Sequence, residues 1–173
     1  SEIFSRPLPI EKFDIIYAGA QKNMGPAGTT LVIVKKDILG KVNREIPTML
    51  DYRTHIKKDS AFNTPPVFPI YVSMLTMRWV KEMGGVEAMA KRNEEKAAIL
   101  YDEIDRNPLF YGTTAQEDRS LMNVNFLSHN EDHIAPFLEK ATAAGCIGVK
   151  GYRTVGGFRA SIYNAMPKAG VEK

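Results

Sequence analysis

Apolar residues near the N-terminus are concentrated in two short runs, residues 13–20 and 29–34. Runs that are nearly continuous in hydrophobicity are typical of strands covered on both faces, as in α/β sheets. The segment between the runs carries Gly25, Pro26 and Gly28, which predict a loop. The pattern therefore indicates an α/β body of two or three layers at the start of the chain.

Two long helices are predicted in the middle of the chain from the spacing of its apolar residues. The first begins near Ile70, carries an apolar stripe expected in the core, and ends at a glycine pair that begins with Gly84. The second ends before Pro108. Its charged positions, expected to form a solvated face, are Lys91, Arg92, Glu94, Glu95 and Lys96.

The last third of the chain predicts a small sheet with a helix packed on it. Residues 121–127 alternate between polar and apolar side chains, which is typical of a half-buried strand. Further short strands are predicted over residues 147–150 and 159–163, and a helix over residues 134–141. Together with the second long helix, these elements indicate an α+β unit.

The glycine pair between the two long helices is the clearest break in the chain. We therefore predict one domain over residues 1–84 and a second, smaller α+β domain over residues 85–173. The chain of 173 residues is long enough for one compact domain or for two small ones.

Composition and charge mainly exclude classes of function. The net charge is only +3, and lysines and arginines are mixed with acids, so neither nucleic acid nor a membrane surface is predicted as a partner. The single cysteine, Cys146, excludes an internal disulfide framework and indicates a reducing compartment, most simply the cytoplasm. His129 and His133 have no third ligand beside them, so we expect surface histidines and no metal site.

Lys22 stands at the end of the first apolar run and immediately before the glycine-containing loop. Two interpretations of this lysine are open. It is either a solvated charge at the end of a strand, which the local pattern alone favours, or an amine that enters an enclosed pocket and acts as a nucleophile or Schiff-base lysine. A P-loop is disfavoured, because the lysine precedes the glycines and no Gly-Lys-Ser/Thr sequence follows.

Arg153 and Arg159 lie on either side of a glycine pair near the end of the chain. A guanidinium group binds a carboxylate or a phosphate through two parallel hydrogen bonds, so two arginines at fixed positions suit a ligand with two anionic groups. With a lysine at a strand end, they predict an anionic carbonyl or amino compound that reacts through amine chemistry.

Three stretches of the sequence resemble, in order and in separation, signature motifs of the phosphoserine aminotransferases, a family within the class V pyridoxal-phosphate aminotransferases. They are AGAQKNMGPAG at residues 18–28, FNTPP at 62–66 and VGGFRASIYNA at 155–165. The resemblance extends over essentially the whole chain. Three long motifs in register are far more specific than any one of them alone.

The resemblance implies an α/β protein of pyridoxal-phosphate transferase fold type I, like aspartate aminotransferase, that works as a homodimer with active sites shared between subunits. The implied cofactor is pyridoxal 5′-phosphate. The implied reaction exchanges an amino group between glutamate and 3-phosphohydroxypyruvate, giving phosphoserine and 2-oxoglutarate in serine biosynthesis. The family also allows 4-phosphohydroxythreonine, an intermediate of pyridoxine biosynthesis, as a substrate. All of these ligands are small molecules.

The resemblance also assigns roles to individual residues around the cofactor. Lys22 matches the catalytic lysine, which is linked covalently to the cofactor and later moves a proton between the substrate and the cofactor. Gln21 matches a residue that contacts the cofactor phosphate. Asn63 and Thr64 match residues that reach the cofactor phosphate of the partner subunit.

Three further residues match positions that bind the substrate. Arg159 matches the arginine that holds the substrate α-carboxylate, and Arg153 matches an arginine that helps to bind the substrate phosphate. Tyr152 stands where most members of the family have a histidine. Tyrosine donates one hydrogen bond but carries no positive charge near neutral pH, so weaker phosphate binding is expected.

The resemblance covers only the C-terminal half of the family's sequence, since family members are roughly twice as long as this chain and exceed a domain of ordinary size. The other half is expected to contain the aspartate that pairs with the pyridinium nitrogen and most of the loop that binds the cofactor phosphate. The chain alone is therefore expected to be inactive. The alternative to an enzyme is a catalytically incompetent fragment with a structural or interface role.

Overall fold

The computed structural model describes residues 2–173, which divide into two compact units. The first unit contains residues 7–79, and the second contains residues 2–6 and 80–173. The helices are α1 (Tyr52–Lys57), α2 (Val67–Glu82), α3 (Gly85–Arg106), α4 (Ile134–Ala143) and α5 (Lys168–Val171). The strands are β1 (Ile15–Gly19), β2 (Thr30–Val34), β3 (Phe110–Gly112), β4 (Asn123–Ser128) and β5 (Phe158–Ser161).

The two long helices predicted from apolar spacing, α2 and α3, are confirmed. The two compact units meet in sequence between Trp79 and Val80, within α2. The domain boundary near Gly84 stays a prediction. Among residues 2–173, no helix combines the length and the apolar character that crossing a membrane requires.

The first unit has a two-stranded antiparallel sheet in which Tyr17 of β1 lies opposite Val32 of β2. Exposed and half-buried side chains alternate along β1, and Ile15 and Tyr17 are 42% and 78% exposed. The prediction that both faces of these strands are covered is therefore wrong for the described residues. Hydrophobicity located the strands, but side chains alternate between the two faces of a sheet, and composition alone does not tell whether each face has a neighbour.

Exposed apolar side chains are frequent in the first unit. On α2 the apolar stripe was predicted to lie in the core, yet Ile70, Tyr71 and Leu75 are exposed, and so are Val67 and Phe68 at the start of the helix. Periodicity predicted the helix correctly but not the element that would cover it. Exposed apolar surface of this extent is typical of an interaction surface.

The second unit has a three-stranded antiparallel sheet in the order β3-β4-β5. Its core contains a cluster of aromatic rings from β3, β4, α4 and β5, in which the closest centroids, those of Phe137 and Phe158, are 4.4 Å apart. Ala97 and Ile104 of α3 belong to the same buried core. Helices packed on one face of a small antiparallel sheet form the α+β arrangement that the sequence predicts.

The third strand of this sheet is not the predicted one. Residues 147–150 contribute only one bridge, from Lys150 to Phe158, because Gly148, with a φ of 77°, turns the chain out of an extended conformation. The third strand is instead β3, which pairs with β4. Three residues are too few for a period of two to be recognised in sequence.

Lys96 also departs from its predicted position. The charged face of α3 was expected to include it, but its side chain is fully buried in the second unit. The buried residues of α3 are Met89, Asn93, Lys96, Ala97 and Ile104. They recur at helical spacing, so Lys96 belongs to the inward stripe of the helix.

Candidate active site

Lys22 lies in the loop that follows β1, and its side chain is exposed, as is that of Gln21. Buried residues flank this pair, since Ala20 is 3% exposed and Asn23 and Met24 are 3% and 4% exposed. The amide of Ala20 donates a hydrogen bond to the carbonyl of Thr29 across the loop, at 2.7 Å. The backbone is thus anchored on both sides of the exposed Lys22.

The loop packs closely against α2 within the first unit, and this contact requires glycine. Gly25 has a φ of 144°, and a β-carbon there would lie 2.7 Å from Ser73 Oγ. Gly28 has a φ of 122°, and a β-carbon there would lie 2.9 Å from Pro69 Cγ. Because both positions combine positive φ with a close neighbour, no other residue fits without a shift of the loop.

Replacing Gly25 by alanine is expected to lower the free energy of unfolding by about 1–3 kcal/mol, because the added methyl group meets Ser73 at a strained φ. Urea denaturation measures this change. Gly19→Ala is the matched control, since a β-carbon at Gly19 has no neighbour within 4 Å. Equal losses in the two variants would contradict the close packing of the loop on α2.

Asn63 and Thr64 lie in the irregular segment just before α2, and both side chains are exposed. The Asn63 side-chain amide donates a hydrogen bond to the Thr64 carbonyl at 3.2 Å, and the prolines Pro65 and Pro66 follow. The segment is therefore stiff, and its polar side chains reach outward. Such a geometry suits contact with another subunit.

Tyr152 and Arg153 occupy the turn that leads into β5, and both are exposed. The turn is closed by hydrogen bonds from the amide of Gly151 to the carbonyl of Gly157 and from the amide of Gly156 to the carbonyl of Tyr152, each 2.8 Å long. A β-carbon on Gly151 would overlap the Gly156 carbonyl. The glycines therefore allow a tight turn that holds both side chains in solvent.

Arg159 is the second residue of β5 and is half-buried. It pairs with Asn125 of β4, and its amide donates a hydrogen bond to the Val149 carbonyl at 2.7 Å. Phe158 and Ile162 are buried in the core, so alternation places Arg159 on the opposite face of the strand. Arg159 Nε is buried without a hydrogen-bond partner among residues 2–173.

The unpaired Nε of Arg159 is the strongest chemical signal in the second unit. Buried donors are nearly always hydrogen-bonded, and an arginine without a protein acceptor suits an anionic ligand. The neighbouring positions on this face are polar. Asn123 receives hydrogen bonds from Ser161 Oγ and from the Tyr163 hydroxyl, each at 3.2 Å. The face of the sheet that carries Arg159 is therefore suited to a polar ligand.

A cavity of about 700 Å³ lies in the second unit beside α4, β5 and the last residues of the chain. Its lining is mostly apolar, but Lys140, Arg159 and Lys173 also line it. These three cationic side chains are possible partners for an anionic group. The cavity therefore adjoins the residue that is predicted to bind the substrate carboxylate.

The residues predicted for the site fall into two groups. Gln21, Lys22, Asn63 and Thr64 belong to the first unit, and Tyr152, Arg153 and Arg159 belong to the second. Their roles stay predictions. Sequence reasoning did not single out the polar residues beside Arg159. The signal was present in the sequence, since the alternation over residues 121–127 places Asn123 and Asn125 on one face of the strand.

Comparison with known proteins gives one consistent result. The model of the family Aminotransferase class-V matches residues 1–173. A phosphoserine aminotransferase of Parabacteroides distasonis is 64% identical over 99% of the chain and 49% of its own length. One from Flavobacterium psychrophilum is 60% identical over 99% of the chain and 48% of its own length. The chain therefore spans about half the length of the curated relatives it matches.

Solved structures agree with the sequence comparisons. The phosphoserine aminotransferase of Bacillus circulans subsp. alkalophilus superposes with a TM-score of 0.93 at 42% identity, over 99% of this chain and 48% of that one. A PLP-bound phosphoserine aminotransferase from Trichomonas vaginalis superposes with a TM-score of 0.91 at 40% identity, over 99% of this chain and 50% of that one. The predicted α/β fold of type I aminotransferases is confirmed by these matches.

Proposed function

The chain belongs to the class-V aminotransferase family, and we propose that it is the C-terminal half of a phosphoserine aminotransferase. The proposed reaction exchanges an amino group between glutamate and 3-phosphohydroxypyruvate, with phosphoserine and 2-oxoglutarate as products. The observation that carries the proposal is the match over 99% of the chain to relatives that are 60% and 64% identical. The unpaired Nε of Arg159 supports it, because every substrate carries a carboxylate.

Pyridoxal 5′-phosphate is the proposed cofactor, and Gln21 and Lys22 are the residues of this chain that would hold it. The fit rests on the exposure of this pair between buried anchors, which places both residues at the surface of a fixed backbone. When bound, the cofactor supplies the ring that accepts the electrons of the substrate Cα–H bond. Lys22 supplies the base that takes the proton from that carbon and returns it during amino transfer.

The remaining residues are proposed to orient the substrate. Arg159 binds the α-carboxylate. It lies opposite Asn125 in the sheet and its amide donates a hydrogen bond to the Val149 carbonyl, so its movement is limited. Arg153 and Tyr152, in the turn before β5, bind the substrate phosphate. This assignment is supported by their exposure and by the glycines that fix the turn.

The replacement of Tyr152 by histidine in the complete protein is expected to lower the KM for phosphoserine by roughly threefold to tenfold, because an imidazolium adds a charged hydrogen bond to the phosphate. Steady-state kinetics at pH 6.5 and pH 8.5 measure the change. The gain is expected at the lower pH, where histidine is protonated. A KM for phosphoserine that is the same in both proteins at pH 6.5 would show that Tyr152 is not a weakened phosphate ligand.

A homodimer with shared active sites is proposed as the working state. The exposed apolar residues of the first unit, among them Tyr17, Phe68 and Tyr71, support an interface there. The outward side chains of Asn63 and Thr64 suit a contact with the cofactor phosphate of a second subunit. A place in serine biosynthesis, a second role with 4-phosphohydroxythreonine in pyridoxine biosynthesis, and a cytoplasmic location complete the proposal.

The direct test is an assay of the complete protein, purified with the cofactor, for 2-oxoglutarate formed from glutamate and 3-phosphohydroxypyruvate. The same assay on the chain of residues 1–173 addresses the alternative, a catalytically incompetent structural or interface fragment. We expect activity in the complete protein and none in this chain. An inactive complete protein, with the cofactor bound, would refute the proposed function.

A further inference from the structure

Lys96 is a fully buried lysine on the inward stripe of α3. Its ammonium group donates three hydrogen bonds to backbone carbonyls, at 2.9 Å to Ile162, 2.8 Å to Tyr163 and 3.2 Å to Met166. A lysine ammonium has three donors and no acceptor, so all of its donors are used. The side chain therefore binds the segment that continues from the end of β5.

No carboxylate pairs with Lys96 in the part of the chain that the structure describes. Burial, and secondarily the charge of Arg92, lower the pKa of its amine to about 8. A buried charge of this kind is costly unless its donors are satisfied, and here only main-chain oxygens satisfy them. The three hydrogen bonds of Lys96 join α3 to one backbone segment, residues 162–166.

The segment held by Lys96 is tied down by two asparagines as well. Asn93, one turn before Lys96, donates a hydrogen bond to Asn164 Oδ1 at 2.8 Å, and another to the Ser5 carbonyl at 3.0 Å. Asn164 donates in turn to the Phe4 carbonyl at 2.9 Å. Asn93 and Asn164 are both buried, so the end of β5 is joined to α3 by a buried polar network.

Arg159 lies three residues before Ile162 on the same strand. On its N-terminal side the strand is held by the bond from the Arg159 amide to the Val149 carbonyl. On its C-terminal side the Ile162 amide donates to the Met122 carbonyl, and the Ile162 carbonyl accepts from Lys96. Lys96 thus holds the backbone of residues 162–166 through three charged hydrogen bonds.

We propose that Lys96 is a positioning residue for substrate binding, because its ammonium group fixes the end of β5 and thereby holds Arg159 where it binds the substrate carboxylate. The inference rests on the proposed function, since it takes the role of Arg159 from there. A side chain that acts in this way does not touch the substrate. It limits the movement of the strand that carries the arginine, and misplacement of a binding group by about 1 Å is enough to weaken binding strongly.

The test is made in the complete protein with its cofactor, using Lys96→Met, which shortens the unbranched side chain by one atom and removes all of its donors. The KM values for glutamate and 2-oxoglutarate are expected to rise roughly tenfold, while kcat changes less than about threefold, because carboxylate binding is lost and proton transfer is not. Calorimetric titration with glutarate, a dicarboxylate that does not react, is expected to show a similar rise in Kd. The control is Lys91→Met, which alters an exposed lysine on the same helix.

A merely structural lysine would give a different result. In that case the variant would melt at a lower temperature, but both KM values and the Kd for glutarate would stay at the level of the unchanged protein, and this outcome would overturn the proposal. If Lys96→Met does not fold, Lys96→Gln is measured instead. The glutamine amide has two donors on a shorter side chain, which does not reach all three carbonyls. The KM values for glutamate and 2-oxoglutarate are therefore expected to rise in Lys96→Gln as well, and unchanged values would overturn the proposal.

Arg159→Ala, measured beside these variants, separates the inference from the proposed function. If Arg159→Ala leaves both KM values unchanged, the carboxylate role assigned to Arg159 is wrong, and the inference falls with it. If Arg159→Ala raises them and the Lys96 variants do not, only the positioning role of Lys96 is wrong. A rise in both KM values in Arg159→Ala and in the Lys96 variants supports the carboxylate role of Arg159 and the positioning role of Lys96.

Discussion

Replacement of Lys22 by alanine in the complete protein is expected to lower kcat for transamination by roughly 10⁴-fold or more, the largest effect of any substitution in the chain. The side chain supplies both the amine that binds the cofactor and the base that moves the substrate proton. No neighbouring residue of the loop replaces it, because Gln21 does not titrate and Asn23 is buried. The rate of 2-oxoglutarate formation from glutamate measures the loss.

Lys41→Ala is the matched control, since Lys41 is also an exposed lysine of the first unit. Its activity should equal that of the unchanged protein. A second measurement identifies the lysine directly: borohydride reduction in the presence of pyridoxal phosphate, followed by peptide mapping, should label Lys22. A label on any other lysine, or full activity in Lys22→Ala, would show that the site is assigned to the wrong residue.

For the loop that carries Lys22, local sequence predicts the backbone conformation but not the role of the lysine. Its glycines predicted a turn, and in the structure Gly25 and Gly28 have positive φ and pack against Ser73 and Pro69. What local sequence did not decide was whether Lys22 is a surface charge or a reactive amine. The exposure of its side chain fits both interpretations. The resemblance to a family of enzymes, and not the local pattern, favours the second.

The polar face around Arg159 could be predicted from the sequence, because side chains alternate between the two faces of a strand with a period of two. Alternation over residues 121–127 predicted one buried face, and Val124 and Phe126 are buried as expected. Pairing of β4 with β5 then brings Asn125 opposite Arg159. The register of that pairing was not predictable, because it depends on residues more than thirty positions apart in sequence.

The burial of Lys96 was not predicted from the sequence pattern. Its charge assigned it to the solvated face of α3, and the three carbonyls that bind it belong to residues 162–166, which are distant in sequence. No local pattern reveals such partners. Lys96 lies three residues after the buried Asn93 and seven after the buried Met89, so helical periodicity is a better guide to its burial than its charge.

Replacement of Arg159 by alanine in the complete protein is expected to lower kcat/KM by about 10²-fold for glutamate and for phosphoserine alike, because both substrates lose the paired hydrogen bonds to their α-carboxylate. An equal loss of kcat/KM for the two substrates is what identifies a residue that binds the α-carboxylate, which both of them carry. A residue that bound the phosphate would affect phosphoserine alone, as we expect for Arg153→Ala. The two substitutions measured side by side therefore separate the carboxylate site from the phosphate site.

The control for Arg159→Ala is Arg106→Ala, which removes an arginine of the second unit whose side chain is 76% exposed. It should leave kcat/KM unchanged for both substrates, since solvent screens its pairing with Glu103. The unpaired Nε of Arg159 also predicts a gain in stability on loss of the guanidinium when no ligand is present, because an unsatisfied buried donor disappears. An unchanged kcat/KM for Arg159→Ala would refute its carboxylate role, whereas a loss restricted to phosphoserine would move Arg159 to the phosphate site.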